Sequence, residues 1–267
     1  LGYLGTMGAD YYDYIVADPI IVPQESQQYY SEKIVYLPSF QANDSKQSQT
    51  VTSFTRQDLN LPKYGFIFCC FNNTYKITPL TLDIWASILK SVDGSVLLIF
   101  ASNNSAQINL KKEITLRGIE SNRLIFGKHL PRPDYMGRYK VADLFLDTHP
   151  YNAGTTSSDA LRMGLPVLTR LGNSFASRMG ASILNAINLP ELITNSQEEY
   201  EALAIELATN PKKLKLIKNK LRDNLTSSPL FDTKLFTRHL ESAYEEMYER
   251  CQQGKKPKHI YVKDAKK

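Results

Sequence analysis

Apolar positions along the chain follow two rhythms. Short apolar runs bounded by Gly, Pro and Asn predict strands, and longer stretches with an apolar residue every three or four positions predict helices. Up to about Asp44 only the first rhythm occurs, in Tyr14–Ala17, Ile20–Val22 and Lys33–Leu37, punctuated by Pro19, Pro23 and Pro38. Strands and loops with little helix are expected there. From Gln41 to about Gln57 the chain is rich in Ser, Thr, Gln and Asn. That composition cannot bury surface and predicts a linker between two folded parts.

From Pro62 the two rhythms alternate. Strands are expected at Phe66–Phe71, Ser95–Ala101, Arg123–Phe126, Ala142–Leu146 and Pro166–Thr169. Between them the spacing predicts helices over Pro79–Val92, with Ile84, Ile88 and Leu89 on one face, and over Ala106–Gly118, closed by its glycine. A short helix is expected near Asp134–Lys140, and another over Thr156–Met163, ended by Gly164. The remainder reads as three helices, Ser196–Ala208, Pro211–Leu225 and about Asp232 to Gln253. Strands alternating with helices in this way predict an α/β fold with a parallel sheet covered on both faces. No internal repeat is evident.

Composition bounds this picture without changing it. The 267 residues are 42% hydrophobic and 22% charged, which excludes disordered, collagen-like and disulfide-scaffold classes. No apolar run reaches the roughly 18 residues of a membrane span. The three cysteines, Cys69, Cys70 and Cys251, read as reduced core thiols of a cytoplasmic protein. The formal net charge of +5 resides in residues 254–267, so the first 253 residues are neutral. A basic tail of this kind is expected to be a solvated, disordered end, and nucleic acid is not expected as a partner. The chain starts at Leu1 in a Gly-rich segment, and is expected to be a piece of a longer protein.

In an open parallel α/β sheet, ligands bind beyond the carboxyl ends of the strands. After Phe66–Phe71 comes Asn72-Asn73-Thr74-Tyr75-Lys76; after Ala142–Leu146 comes a loop from Asp147 to Gly154 that enters a helix through Thr155-Thr156-Ser157-Ser158-Asp159. Glycine and hydroxyl residues at a helix start offer backbone N–H groups and the positive dipole end to a phosphate or diphosphate. Simple capping by Thr155 or Ser157 would account for the same residues. Lys76 is either a solvated loop cation or the charge that meets a leaving diphosphate. Asp159 either binds ribose hydroxyls or complements the helix dipole. Gly127–Tyr139, with Leu130, Arg132, Tyr135 and Arg138, suits a nucleobase face or a solvated helix equally. The absence of GxGxxG, Walker, HExxH and GxSxG patterns removes the common dinucleotide, NTPase, zinc-peptidase and serine-hydrolase readings.

The ordered strings CFNNTYKITPLTLDIWASIL, ADLFLDTHPYNAGTTSSDALRMGLPVLT, SFASRMGASIL, NLPELI and SSPLFDT, preceded by GYLGT and DYIVAD, resemble the catalytic region of the O-linked N-acetylglucosamine transferases and their bacterial relatives with tetratricopeptide repeats. The likeness covers nearly the whole chain. It implies a GT-B glycosyltransferase fold, with residues 1–45 as the end of the N-terminal half, 46–59 as linker, 60–253 as the Rossmann-like nucleotide-sugar half and 254–267 as the basic tail. It further implies inverting transfer of N-acetylglucosamine from UDP-GlcNAc to Ser/Thr of proteins, with no metal and no cofactor. The alternatives are a relative using GDP-fucose or UDP-glucose, or a degenerate binding module.

By motif, the resemblance places Lys76 on the UDP diphosphate as the catalytic cation. Asn73 stands where animal members carry glutamine at the phosphates, and Thr155 and Thr156 match the threonine pair there. Gly154 stands where many members have histidine. Asp159 matches the ribose-binding aspartate, Leu130 the position whose backbone meets uracil, and Arg132 a lysine at the nucleoside. Tyr135 replaces a stacking histidine. The family's acceptor-site histidine segment and its repeats are expected ahead of Leu1, in the longer protein.

Overall fold

In the computed structural model, residues 5–43 and 52–263 are described. The expectations for Gly2 and for the core of the linker, 44–51, lie outside the described residues, as does the end of the tail, 264–267.

Two parallel sheets organise the chain. The larger has six strands: β3 (Ile67–Cys70), β4 (Val96–Phe100), β5 (Leu124–Gly127), β6 (Leu144–Leu146), β7 (Val167–Arg170) and β8 (Ile193–Thr194), in the order β5-β4-β3-β6-β7-β8. The chain winds outward from β3 to β5, then returns to the other side of β3 and winds outward again. This is the doubly wound Rossmann order, with its switch point between β3 and β6. All four residues of β3 are buried, because helices cover both faces. The smaller sheet joins β1 (Tyr14–Ala17) and β2 (Lys33–Tyr36) to β9 (Ile260–Tyr261).

The helices are α1 (Pro79–Ser91), α2 (Asn104–Leu116), α3 (Arg132–Gly137), α4 (Thr155–Arg162), α5 (Met179–Ala186), α6 (Gln197–Thr209), α7 (Pro211–Asn224) and α8 (Thr233–Gln252). Their starts follow local chemistry. The side chains of Thr78, Asn103, Ser196, Asn210 and Asp232 each accept a hydrogen bond from a first-turn N–H, and Pro79 and Pro211 occupy first helical positions. Around β3, Trp85, Phe68, Phe145 and Tyr139 fill the largest core.

Three expectations are corrected and one helix is added. Ile20–Val22 is a turn, not a strand: the Asp18 carboxylate accepts from the Ile20 and Ile21 N–H groups at 2.9 and 2.8 Å, while Ile21 and Val22 are buried. The basic tail is ordered at its centre, where β9 pairs with β2 and buries Ile260. Helix α5 was not expected from the pattern at all. Cys251 lies exposed on α8, so only Cys69 and Cys70 are core thiols.

Helix α5 ties the first segment to the large sheet. Ser182 Oγ donates to Asp18 Oδ2 at 2.6 Å, and the Arg178 guanidinium just ahead of α5 donates to the Ile20 carbonyl.

Candidate functional site

The loops that follow β3 and β6 meet at the switch point. Asp147, directly after β6, is buried and holds them together. Its Oδ1 accepts from the N–H groups of Thr148 and Ala153 at 2.8 and 2.7 Å and from Asn72 Nδ2 at 3.3 Å; its Oδ2 accepts from Thr169 Oγ1 at 2.7 Å. Burial pushes the Asp147 carboxyl up to about 6, against the pull of these hydrogen bonds and of Lys76. Asn72 links onward, donating to Thr148 Oγ1 at 2.8 Å and accepting from Thr156 Oγ1 at 2.6 Å.

Above this network lies a cavity of about 340 Å³. Its wall includes Asn73, Lys76, Leu130, Tyr135, Gly154, Thr155 and Thr156, seven of the nine positions selected from the sequence. Helix α4 points its N-terminus into it. Gly154 is the N-cap and no side chain caps the helix, so the capping explanation for Thr155 and Ser157 falls away. Ser157 Oγ is instead buried without a hydrogen-bond partner. Uncapped N–H groups beside a cation form a place for an anion.

Lys76 is half-buried, and its Nζ donates to the Asn152 carbonyl at 2.9 Å. Burial lowers its pKa, while the Asp147 charge works in the opposite direction. A second cavity of about 380 Å³ opens on the other side of Lys76, Gly154 and Thr155, between Phe40–Asn43 of the first segment and Phe175 and Met179. The ammonium therefore stands at the junction of two spaces.

Arg132 and Asp159 are brought to each other and lie off the cavity wall. Arg132 Nη1 and Nη2 donate to Asp159 Oδ2 and Oδ1 at 2.7 and 2.6 Å, and Asp159 is buried. Arg138, which the sequence left open, does line the cavity. Its guanidinium lies 3.8 Å from the Phe71 ring centroid and 4.5 Å from that of Tyr135, and its Nε is buried without a partner. Burial lowers its pKa. Tyr135 is fixed from the other side by a 2.6 Å hydrogen bond between its hydroxyl and that of Tyr139. The cavity thus carries a cationic, N–H-rich end and an aromatic end. His149 is elsewhere, beside Trp85 and Arg170 in a small void. Sequence reasoning missed Asn72, Asp147 and Asn152, whose only signal was their place in the loops that follow β3 and β6.

A doubly wound sheet with an uncapped helix start and an aromatic-walled cavity at its switch point, joined to a second, smaller parallel sheet, is the architecture of the GT-B glycosyltransferase class. The profile of Glycosyl transferase family 41 matches residues 1–47 and 39–240, and the chain belongs to that family. It is 35% identical over 98% of its length to the "Probable UDP-N-acetylglucosamine--peptide N-acetylglucosaminyltransferase SEC" of Arabidopsis thaliana, covering 28% of that protein. It is 34% identical over 77% of its length to the "UDP-N-acetylglucosamine--peptide N-acetylglucosaminyltransferase" of Caenorhabditis elegans, covering 18% of it. A solved O-GlcNAc transferase mutant of Thermobaculum terrenum superposes with a TM-score of 0.86 at 32% identity, over 95% of this chain and 48% of that one. The chain thus spans less than a third of these curated relatives. A sucrose-phosphate synthase of Thermosynechococcus elongatus, at 13% identity and a TM-score of 0.62, shares the fold.

Proposed function

We propose that this chain forms the donor-binding part of a protein O-GlcNAc transferase, which moves N-acetylglucosamine from UDP-GlcNAc to Ser/Thr hydroxyls. The observation that carries this reading is the convergence of Lys76 and the uncapped start of α4 on one cavity at the switch point. The acceptor oxygen bonds to the sugar's anomeric carbon and gives up its proton to water, while the carbon–oxygen bond to UDP breaks and its electron pair leaves with the diphosphate. Lys76 and the N–H groups of Thr155 and Thr156 meet that charge as it develops. No resident metal or cofactor enters the scheme.

In this reading Asn73 and the hydroxyl of Thr155 reach the phosphates, and the main chain of Leu130 and the ring of Tyr135 receive the uracil. Asp159 accepts from the ribose hydroxyls with the lone pairs that Arg132 leaves free. Residues 1–45 end the N-terminal half, 46–59 link it to 60–253, and the tail rejoins the first sheet. Protein acceptors and tetratricopeptide repeats belong to the longer protein. The buried, unpaired Cys69 and Cys70 support a cytoplasmic setting, and among the described residues no helix is long and apolar enough to cross a membrane.

The test is calorimetric titration of UDP, with GDP as comparison, into this chain and its Lys76→Ala variant. UDP should bind selectively and about ten-fold or more weakly to the variant, the scale of one lost charge-assisted contact. A folded chain that binds neither nucleotide overturns the reading. Preference for GDP moves the donor to a guanosine-linked sugar.

A further inference from the structure

Tyr151 was not selected by its spacing, yet it touches the central cation of the site. The Lys76 ammonium sits 3.9 Å from the centroid of the Tyr151 ring while donating to the carbonyl of the next residue, Asn152. An ammonium has three N–H groups, so the carbonyl takes one and the ring face attracts the remaining charge. Tyr151 itself is carried on a fixed loop. Thr148 Oγ1 donates to the Tyr151 carbonyl at 2.6 Å, and the buried Asn152 side chain bridges the Thr148 carbonyl at 2.8 Å and the Gly180 N–H at 3.3 Å. The ring also forms part of the wall of the second cavity, and Tyr75, in the wall of the first, lies 6.1 Å from it between centroids.

A lysine has a long, flexible stem whose freedom must be lost before its charge is of use at a fixed point. Burial also works against the charge of Lys76. A ring face beneath the ammonium answers both problems. It favours the protonated form, and Lys76 still lines the cavity that the start of α4 borders.

We propose that Tyr151 is a positioning residue that holds the Lys76 ammonium by its ring face at the junction of the two cavities, where it meets a nucleoside diphosphate. This inference rests on the nucleotide reading above. The hydroxyl is not needed, so Tyr151→Phe keeps the function. Tyr151→Leu keeps apolar bulk but deletes the aromatic face, and at 43% exposure it leaves the core intact.

Two measurements separate this inference from the reading on which it rests. The first is NMR of the nucleotide-free chain: the Lys76 Hε protons should be displaced upfield by the ring current in wild type and Tyr151→Phe, but not in Tyr151→Leu. The second is UDP titration from neutral to alkaline pH. Tyr151→Leu should bind on the order of ten-fold more weakly, with its alkaline loss of binding beginning at lower pH, while Tyr151→Phe matches wild type. Absence of the upfield displacement in wild type, or UDP binding by Tyr151→Leu equal to wild type, overturns the inference. A wild-type chain that shows the displacement yet binds no UDP overturns the nucleotide reading instead, and removes the diphosphate from this proposal with it.

Discussion

At the scale of single residues, Asp147 decides whether the two site loops stay together. Its raised pKa makes a prediction with a definite sign. Between the usual 3.8 and about 6 the folded chain holds a proton on this carboxyl that the unfolded chain releases. Stability attributable to Asp147 therefore falls as pH rises through that window and is flat above it. In Asp147→Asn the amide oxygen still accepts from the Thr148 and Ala153 N–H groups, and the Thr169 hydroxyl can turn to accept from the amide nitrogen. Denaturant unfolding of both forms at pH 4 and pH 7 should show wild type losing on the order of 2 kcal/mol relative to Asn across the interval. Equal pH dependence of the two would remove Asp147 from this role. Lys76, Thr155 and Thr156 were legible in the sequence because a lone cation in the loop after β3 and a pair of hydroxyl residues opening α4 carry the chemistry a phosphate needs, at places where open α/β sheets hold ligands. Asp147 and Asn72 were not, because they act through main-chain and side-chain hydrogen bonds that spacing does not reveal.

At the scale of elements, most strands and helices from Pro62 onward were readable because each carries a period, a cap or a breaker of its own, whereas the two-residue β8 is too short to carry any. Helix α5 was not. Gly180, Ala181, Ser182, Ile183, Leu184 and Ala186 are all buried, so the helix has no polar face to set a stripe against. Nor does the Ile20–Val22 turn differ from a strand in composition; the Asp18 carboxylate makes it a turn. Packing of α5 on β7 depends on Gly180, where an added Cβ would fall on Thr169 Oγ1 and Asp147 Oδ2. Gly180→Ala should therefore lower stability by about 1–3 kcal/mol, measured by the denaturation midpoint, because the helix must move away from a filled interior. It should also weaken UDP binding, since the Gly180 N–H holds Asn152 and Asn152 holds Lys76. Unchanged stability would show that α5 can shift without strain.

At the scale of the whole molecule, the chain closes on itself: α8 carries it from the large sheet back to the first segment, where β9 joins β2. The Val262 N–H donates to the Tyr36 carbonyl at 2.9 Å, Ile260 packs with Val35, Leu37 and Ala243, and Tyr261 stacks on Tyr36 at 4.9 Å. The sequence concealed this because six lysines mask a two-residue strand. One contact in the closure depends on a titratable group. The Ile34 N–H donates to His259 Nδ1 at 2.9 Å, which requires that nitrogen to be unprotonated. Burial first, and the Lys33 charge second, lower the His259 pKa below its usual 6.5. The unfolded or detached tail then binds a proton more readily than the docked one, so the contribution of this contact is complete above about pH 6.5 and is lost as pH falls through the lowered value. Amide exchange at Ile34 and Val262, corrected for the intrinsic rate, should lose protection on acidification. In His259→Gln an amide oxygen can accept from Ile34 without titrating, and protection there should be independent of pH over the same range. If the glutamine form opens on acidification as wild type does, the tail is released by some other group and His259 is a bystander in the closure.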